Sequence, residues 1–259
     1  MKAMIFAAGL GTRLKPLTDT MPKALVPVAG EPLLKHVILK LKASGFNDFV
    51  VNVHHFAGQI SEYVISENGF GACVSISDER DELLDTGGGI LHARTLLQRG
   101  EPADGFFLVH NVDILSDLDV PSFVGQWRED ALAVLLVSER VTQRYLLFDD
   151  DMRLAGWTNV STGEVRSPYP SLDPDKCRKL AFSGIHLISN GVFNVMEKEG
   201  FSGRFPIIDF YLTICDRFPI YGCVPRSLNL IDVGKLDTLA KAEEFMRISC
   251  HSCPEGPAE

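Results

Sequence analysis

Two cations, two carboxylates and a glycine-rich turn are the groups through which this sequence can do chemistry. The turn is Ala7-Ala8-Gly9-Leu10-Gly11-Thr12-Arg13-Leu14, with Thr18 and the pair Pro22-Lys23 close behind. Glycines let backbone N–H groups approach phosphate oxygens without obstruction by Cβ, and successive amides can form an anion-binding nest. Three phosphate-binding schemes compete. A Walker loop ends in Gly-Lys-Ser/Thr, whereas this loop ends in Gly11-Thr12-Arg13. A dinucleotide fingerprint needs Gly or Ala where Leu14 stands, and an acidic residue closing the second strand. The third scheme fits: Gly9, Gly11 and Thr12 shape the loop, and Arg13 and Lys23 supply the fixed positive charge that a nucleoside triphosphate requires.

The carboxylates are Asp113, in Asn111-Val112-Asp113, and Asp232, in Leu230-Ile231-Asp232-Val233-Gly234. Asp113 closes the apolar run that starts at Phe106, and ligands of open α/β sheets bind beyond the carboxyl ends of strands. A turn role for Asp113 and a helix-cap role for Asp232 are the ordinary alternatives. Asp149–Asp151 reads as a solvated turn, and His54 and His55 as structural groups closing a strand.

These residues need a scaffold. The chain has 259 residues, of which 46% are hydrophobic and 23% charged, enough for one large α/β domain. Strand and helix patterns alternate through the first half, the signature of a Rossmann-like, mostly parallel sheet with helices on both faces. Lys2–Ala7 reads as the first strand, and Leu33, Leu34, Val37, Ile38 and Leu41 recur at helical spacing between Pro32 and Gly45. Strands over Phe49–Val53, Ala72–Ser77, Phe106–His110 and Leu132–Val137 follow, with helices near Ala57–Ser66, from about Gly89, and around Pro121–Trp127. From about Arg144 to Leu180 short strands alternate with turn-rich stretches, which predicts a small β-rich inserted subdomain lying over the site. Strands at Leu180–Ile188 and near Ile220–Val224 follow, with helices near Asn190–Lys198, Ile207–Cys215 and Leu236–Arg247. Residues 249–259 read as a flexible tail on a single domain spanning 1–259.

Net charge is −9, with a pI near 5.3, which argues against a nucleic-acid or membrane surface. An anionic ligand must then be held by a few local cations. No apolar run approaches the roughly 20 residues of a membrane helix. The start, MKAMIFAAGLGTRL, runs straight into the loop without a cleavage site and reads as a strand, so a cytoplasmic setting is expected. Six cysteines (73, 177, 215, 223, 250 and 253) are scattered, with no second Cys-x-x-Cys pair to complete a metal site with Cys250 and Cys253.

The stretch AAGLGTRLKPLTDTMPKALVPVAGEPLL resembles the N-terminal signature of sugar-1-phosphate nucleotidylyltransferases, which join a nucleoside triphosphate to a sugar 1-phosphate and release pyrophosphate. The resemblance implies that Ala8, Gly9, Gly11 and Thr12 wrap the triphosphate. It gives Arg13 to the leaving pyrophosphate and Lys23 to the α-phosphate or the sugar phosphate. It further implies Mg²⁺ on Asp113 and Asp232, a cation that keeps waters and needs few protein ligands. The chain departs from the family pattern at Val112, where Gly is usual, and at Lys235, where Thr is usual. Glu82-Leu83-Leu84-Asp85-Thr86-Gly87-Gly88-Gly89 is similar to the segment that cradles the base, in a form nearest the N-acetylmuramate 1-phosphate uridylyltransferases. By that match Gly87 packs against the base and Glu82 reads its edge, accepting one N–H from uracil or two from guanine. Thr86 either joins them or caps the helix. Asn159 and Gly184 fall where the sugar would lie, although the family's Glu-Lys-Pro segment is absent. The expected activity is uridylyl transfer to a sugar 1-phosphate of the N-acetylmuramate kind. A guanylyltransferase for a mannose- or heptose-type 1-phosphate and a non-catalytic sugar-nucleotide-binding domain are the alternatives.

Overall fold

The structure is a computed structural model describing residues 1–251, with side chains through Ile248. The expected tail from Ser252 onward, Cys253 included, and the side chains of residues 249–251 lie outside what it describes.

The chain alternates strand and helix from its start: β1 (Lys2–Phe6), a short hairpin of β2 (Pro27–Val28) and β3 (Glu31–Pro32), α1 (Leu33–Ala43), β4 (Asp48–Val53), α2 (Ala57–Ser66) and β5 (Cys73–Asp78). Next come α3 (Asp85–His92), α4 (Arg94–Gln98), β6 (Phe106–Asn111), β7 (Ile114–Ser116), α5 (Val120–Val124) and β8 (Ala133–Ser138). The second half contains β9 (Arg144–Phe148), β10 (Leu154–Asn159), β11 (Glu164–Arg166), β12 (Arg178–Ser189), α6 (Val192–Lys198) and α7 (Ile207–Ile214). It closes with β13 (Ile220–Cys223), β14 (Leu230–Asp232) and α8 (Leu236–His251).

Strand order along the main sheet is β11-β10-β9-β12-β6-β1-β4-β5, with β8 on β12 and β13 on β8. The strands β6, β1, β4 and β5 run parallel, and β12 enters antiparallel to β6, β8 and β9. Successive residues of a strand face opposite sides. Ala3 and Ile5 of β1 and Leu108 of β6 therefore pack in one core with Leu34, Val37, Ile38 and Leu41 of α1 and Ile60 of α2. Met4, Phe107 and Val109 pack in a second core with Ile90 of α3, Leu97 of α4, Phe193 of α6 and Phe210 of α7. Helices cover both faces, as the continuous apolar strands require.

Connections from β1 run through α1 to β4 and through α2 to β5 on one side, while β6 pairs on the other side of β1. The order reverses between β1 and β6, the place where open α/β sheets bind ligands. The 144–180 segment is no separate core. Its strands continue the main sheet through the long strand β12, whose first residues pair with β9. The helix expected from about Gly89 begins at Asp85, so Gly87, Gly88 and Gly89 lie inside α3. Tertiary contacts override the poor helix propensity of glycine. A Cβ on Gly87 would meet the Phe205 ring at 2.2 Å, and one on Gly88 the Gly203 carbonyl oxygen at 2.2 Å. Among the described residues no helix is long and apolar enough to cross a membrane. Cys73, Cys177, Cys215 and Cys223 are free thiols.

Candidate active site

A cavity of about 420 Å³ opens at the switch point, lined by the whole loop Phe6–Arg13 together with Lys23, Asn52, Glu79, Leu83, Asp85, Thr86, Asn111, Val112, Asp113 and Gly234. Each expected phosphate-loop residue, Ala8, Gly9, Gly11, Thr12 and Arg13, lies on its wall. A Cβ on Gly9 would meet nothing within 4 Å, so that side of the loop faces open space. Gly11 adopts φ 63°, the left-handed region that favours glycine, and its carbonyl accepts from Leu14 N at 2.8 Å and Thr18 Oγ1 at 2.9 Å. A Cβ there would press on Thr18 Cγ2 at 2.9 Å and Lys23 Cβ at 3.1 Å. The loop is thereby folded back onto the residue that carries the second cation.

Lys23 is 8% exposed and its Nζ is paired with the Asp113 carboxylate. Asp113 follows β6 and Asp232 ends β14, and the antiparallel pairing of β7 with β14 sets Asp232 opposite Ile114. The Val233 N–H donates to the Asp113 carbonyl at 2.8 Å, closing the ribbon. Burial, and then the neighbouring Asp113 carboxylate, push the Asp232 carboxyl above its ordinary range, while Lys23, Arg13 and Arg140 pull it down. Its Oδ1 is buried without a hydrogen-bond partner. Gly234 makes room here: a Cβ would come 2.8 Å from Asp232 Oδ1 and 3.0 Å from Arg13 Nη2. Asp113 on the cavity wall and Asp232, which lies off that wall behind Gly234 with an unsatisfied oxygen, therefore stand near the two cations Arg13 and Lys23. That donor set fits a hard divalent cation. Asp232 ends β14, four residues before α8 begins at Leu236.

The residues expected to meet the base are placed differently from expectation. Glu82 is exposed and lies off the cavity wall, while the buried Glu79, three residues earlier, lines it. Gly87 packs on Phe205 and does not line the cavity. Thr86 does line it, and its Oγ1 accepts from the Ile207 N–H at 2.9 Å, so it caps α7 and not its own helix. Asp85 sits on the wall with φ 61°, a strained region for a residue with a Cβ, and its Oδ1 accepts from Thr86 N at 2.6 Å.

At the expected sugar positions, Asn159 Oδ1 accepts from Ser161 N at 3.1 Å and Ser161 Oγ at 2.7 Å. It stabilises the turn after β10 and is off the cavity wall; among the described residues, none of 144–180 lines the cavity. Gly184 lies at the bulge of β12 with φ 74°, where a Cβ would meet Asn111 Nδ2 at 2.7 Å. It supports a wall residue without being one. His54 donates from Nδ1 to the Glu79 carbonyl at 2.6 Å, and the His55 ring packs tilted against Phe56, with centroids 4.0 Å apart, both structural. Asp149 Oδ1 accepts from Asp151 N and Arg153 N, the expected turn. Asn52 and Glu79 escaped the sequence reading. Their signal was a polar residue interrupting the apolar run Phe49–Val53, and an acid just past the next strand.

Residues 2–151 match the family model described as nucleotidyl transferase. The chain belongs to that family. It is 31% identical over 236 residues to an N-acetylmuramate alpha-1-phosphate uridylyltransferase from Caulobacter vibrioides, across 87% of this chain and 89% of the relative. It is 44% identical over 119 residues to the protein of the same name from Neisseria meningitidis serogroup B, across 46% of this chain and 49% of the relative. HddC from Yersinia pseudotuberculosis, solved with GMP-PN, shares the fold, with a TM-score of 0.71 at 24% identity over 95% of this chain and 99% of that one. The resemblance of the N-terminal signature is borne out: this nucleotidyl transferase is an enzyme of the sugar-1-phosphate class.

Proposed function

We propose that this enzyme transfers the uridylyl group of UTP to an N-acetylmuramate-type sugar 1-phosphate and releases pyrophosphate. The observation that carries the choice of substrates is the similarity to the Caulobacter relative over 87% of the chain. In the reaction a sugar-phosphate oxygen attacks the α-phosphorus in line, and the bond to the pyrophosphate oxygen breaks. The nucleophile is already an anion, so no general base is required. The obstacle is the approach of two anions, and positioning with fixed positive charge is what lowers it.

Sheet order supports one way round for the nucleotide. Arg13 and Lys23 stand with Asp113 at the β1–β6 end, which suits the triphosphate. Asn52 within β4, Glu79 just after β5, and Leu83 and Thr86 around the start of α3 line the other side of the cavity, which suits the base. The amides around Gly9 and Gly11 receive the phosphate oxygens. Arg13 faces the leaving pyrophosphate, and Lys23 turns from Asp113 toward the α-phosphate. Asp113 and Asp232 would hold Mg²⁺, which when bound supplies further neutralisation of phosphate charge. The sugar phosphate then enters beside Asn111, against which Gly184 packs.

A coupled pyrophosphate assay with N-acetylmuramate 1-phosphate and a panel of UTP, GTP, CTP and dTTP tests this reading. Release is expected with UTP and Mg²⁺ and not with EDTA. Consumption of GTP alone, with a mannose- or heptose-type 1-phosphate, would replace it by the guanylyl reading. Tight sugar-nucleotide binding with no turnover under any pairing would leave a non-catalytic binding domain.

A further inference from the structure

One buried polar chain lies on the cavity wall away from the phosphate-binding cations. Glu79 is only 3% exposed, and its main chain is fixed on both sides. Its N–H donates to the Val53 carbonyl at 2.8 Å, and its carbonyl accepts from His54 Nδ1 at 2.6 Å. The carboxylate accepts from Asn52 Nδ2 at 2.8 Å and from the Leu84 N–H at 3.3 Å. Asn52, 2% exposed, in turn accepts at Oδ1 from the Ala7 N–H at 2.8 Å. An amide N–H can only donate and an ionised carboxylate can only accept, so the orientation of the Asn52 carboxamide is dictated from both ends. Gly89 leaves the space for this contact. A Cβ there would stand 2.8 Å from Glu79 Oε1 and 3.2 Å from Asn52 Nδ2.

Ala7 opens the phosphate loop, and Leu84 immediately precedes the helix at the base end. We propose that Glu79 is a positioning residue for the nucleotide: through Asn52 it holds the phosphate loop, and through Leu84 the base segment, at the separation that one nucleotide spans. The inference rests on the cavity being the nucleotide site, as proposed above. A ligand that meets both ends needs the clamp, whereas one that meets the phosphate loop alone does not.

The test uses the full-length enzyme, pyrophosphate release for kcat and KM, and calorimetric binding of inorganic tripolyphosphate. Glu79→Gln keeps the shape but can accept from only one of the two donors, setting its own NH₂ against the other. Its KM for the nucleotide is expected to rise about tenfold with kcat within about threefold, the size of one buried hydrogen bond lost. Tripolyphosphate affinity is expected to stay unchanged. Asn52→Asp alone sets two carboxylates face to face and is expected to be worse. The double variant Asn52→Asp with Glu79→Gln restores each donor–acceptor pair with the same total charge, and its KM is expected to return to within about threefold of the parent value. Gly89→Ala crowds Glu79 Oε1 without altering Glu79, and is expected to raise the nucleotide KM in the same way. It serves as the second reading of the clamp should Glu79→Gln not fold. An unchanged nucleotide KM in the single variants, equal losses for nucleotide and tripolyphosphate, or additive losses in the double variant would each overturn the proposal. Failure of the parent enzyme to consume any nucleotide would instead overturn the functional reading, so the two failures are distinct.

Discussion

The two ends of the cavity are built on opposite electrostatic plans. At the phosphate end the groups carry full charges that are only partly satisfied by one another: Lys23 on Asp113, Arg13 beside Asp232, and an Asp232 oxygen with no partner. At the proposed base end the contacts are directed hydrogen bonds, from Asn52 and Glu79 to Thr86 on Ile207, with the close fit of Gly87 on Phe205 just behind the wall. The first arrangement is poised to exchange partners when a charged ligand arrives, and the second to keep its shape. Substitutions at the phosphate end should therefore fall on turnover, and those at the base end on stability and on KM.

The largest effect is expected at the phosphate end. Arg13→Ala, Lys23→Ala and Asp113→Ala should each lose on the order of 10²–10³ in kcat, the usual loss for one preorganised charge, while melting within a few degrees of the parent. Pyrophosphate release near the parent rate in all three would erase the contrast between the ends. Next, Gly87→Ala forces a methyl group into the Phe205 ring, and the overpacking should cost about 1–3 kcal/mol in denaturant unfolding. Because this is a packing loss, kcat of the protein that remains folded should change little, and a variant as stable as the parent would show that α3 packs otherwise.

Asp232 sharpens the comparison through pH. Its carboxyl is raised in the folded, ligand-free enzyme, chiefly by burial and then by Asp113, so the folded state holds the proton more tightly than the unfolded chain. The stability tied to that proton is present in acid and is lost as pH rises through the raised value. Asp232→Asn should therefore stabilise the ligand-free enzyme at neutral pH, with the advantage shrinking in mildly acidic buffer, while turnover collapses. Thermal melts across that range check the sign; a less stable asparagine variant at neutral pH would contradict it. The smallest effect is expected at Asp85, where Asp85→Gly relieves the left-handed strain and should stabilise by up to about 1 kcal/mol in chemical unfolding.

What could be read from the sequence follows the same division. The glycine loop, Arg13, Lys23 and Asp113 declare themselves because their chemistry is carried by residue type and near neighbours, and because Phe106–His110 is an unmistakable buried strand. Alternation of strand and helix likewise fixes the parallel half of the sheet. The base end is set by contacts across the chain that leave no local trace: Thr86 reaches Ile207, Gly88 reaches Gly203, and Glu79 reaches Asn52. Hence the glycine triplet reads as the point where a helix begins when it lies within one. Glu82 stands out in the sequence, whereas it is Glu79 that lines the cavity. Asn159 reads as a ligand contact when its carboxamide is committed to a turn, since its position depends on the register of β10 with β9 and β11.

In the proposed mechanism Asp113 and Asp232 together hold a divalent cation on the triphosphate beside Lys23. Titration of the enzyme with Mn²⁺ and UTP, followed by electron paramagnetic resonance, tests it most directly. The parent enzyme should bind the Mn²⁺–UTP complex and broaden its signal, and Asp113→Asn and Asp232→Asn should each abolish the bound species while remaining folded. An undiminished bound signal in both variants would place the metal elsewhere and contradict the account.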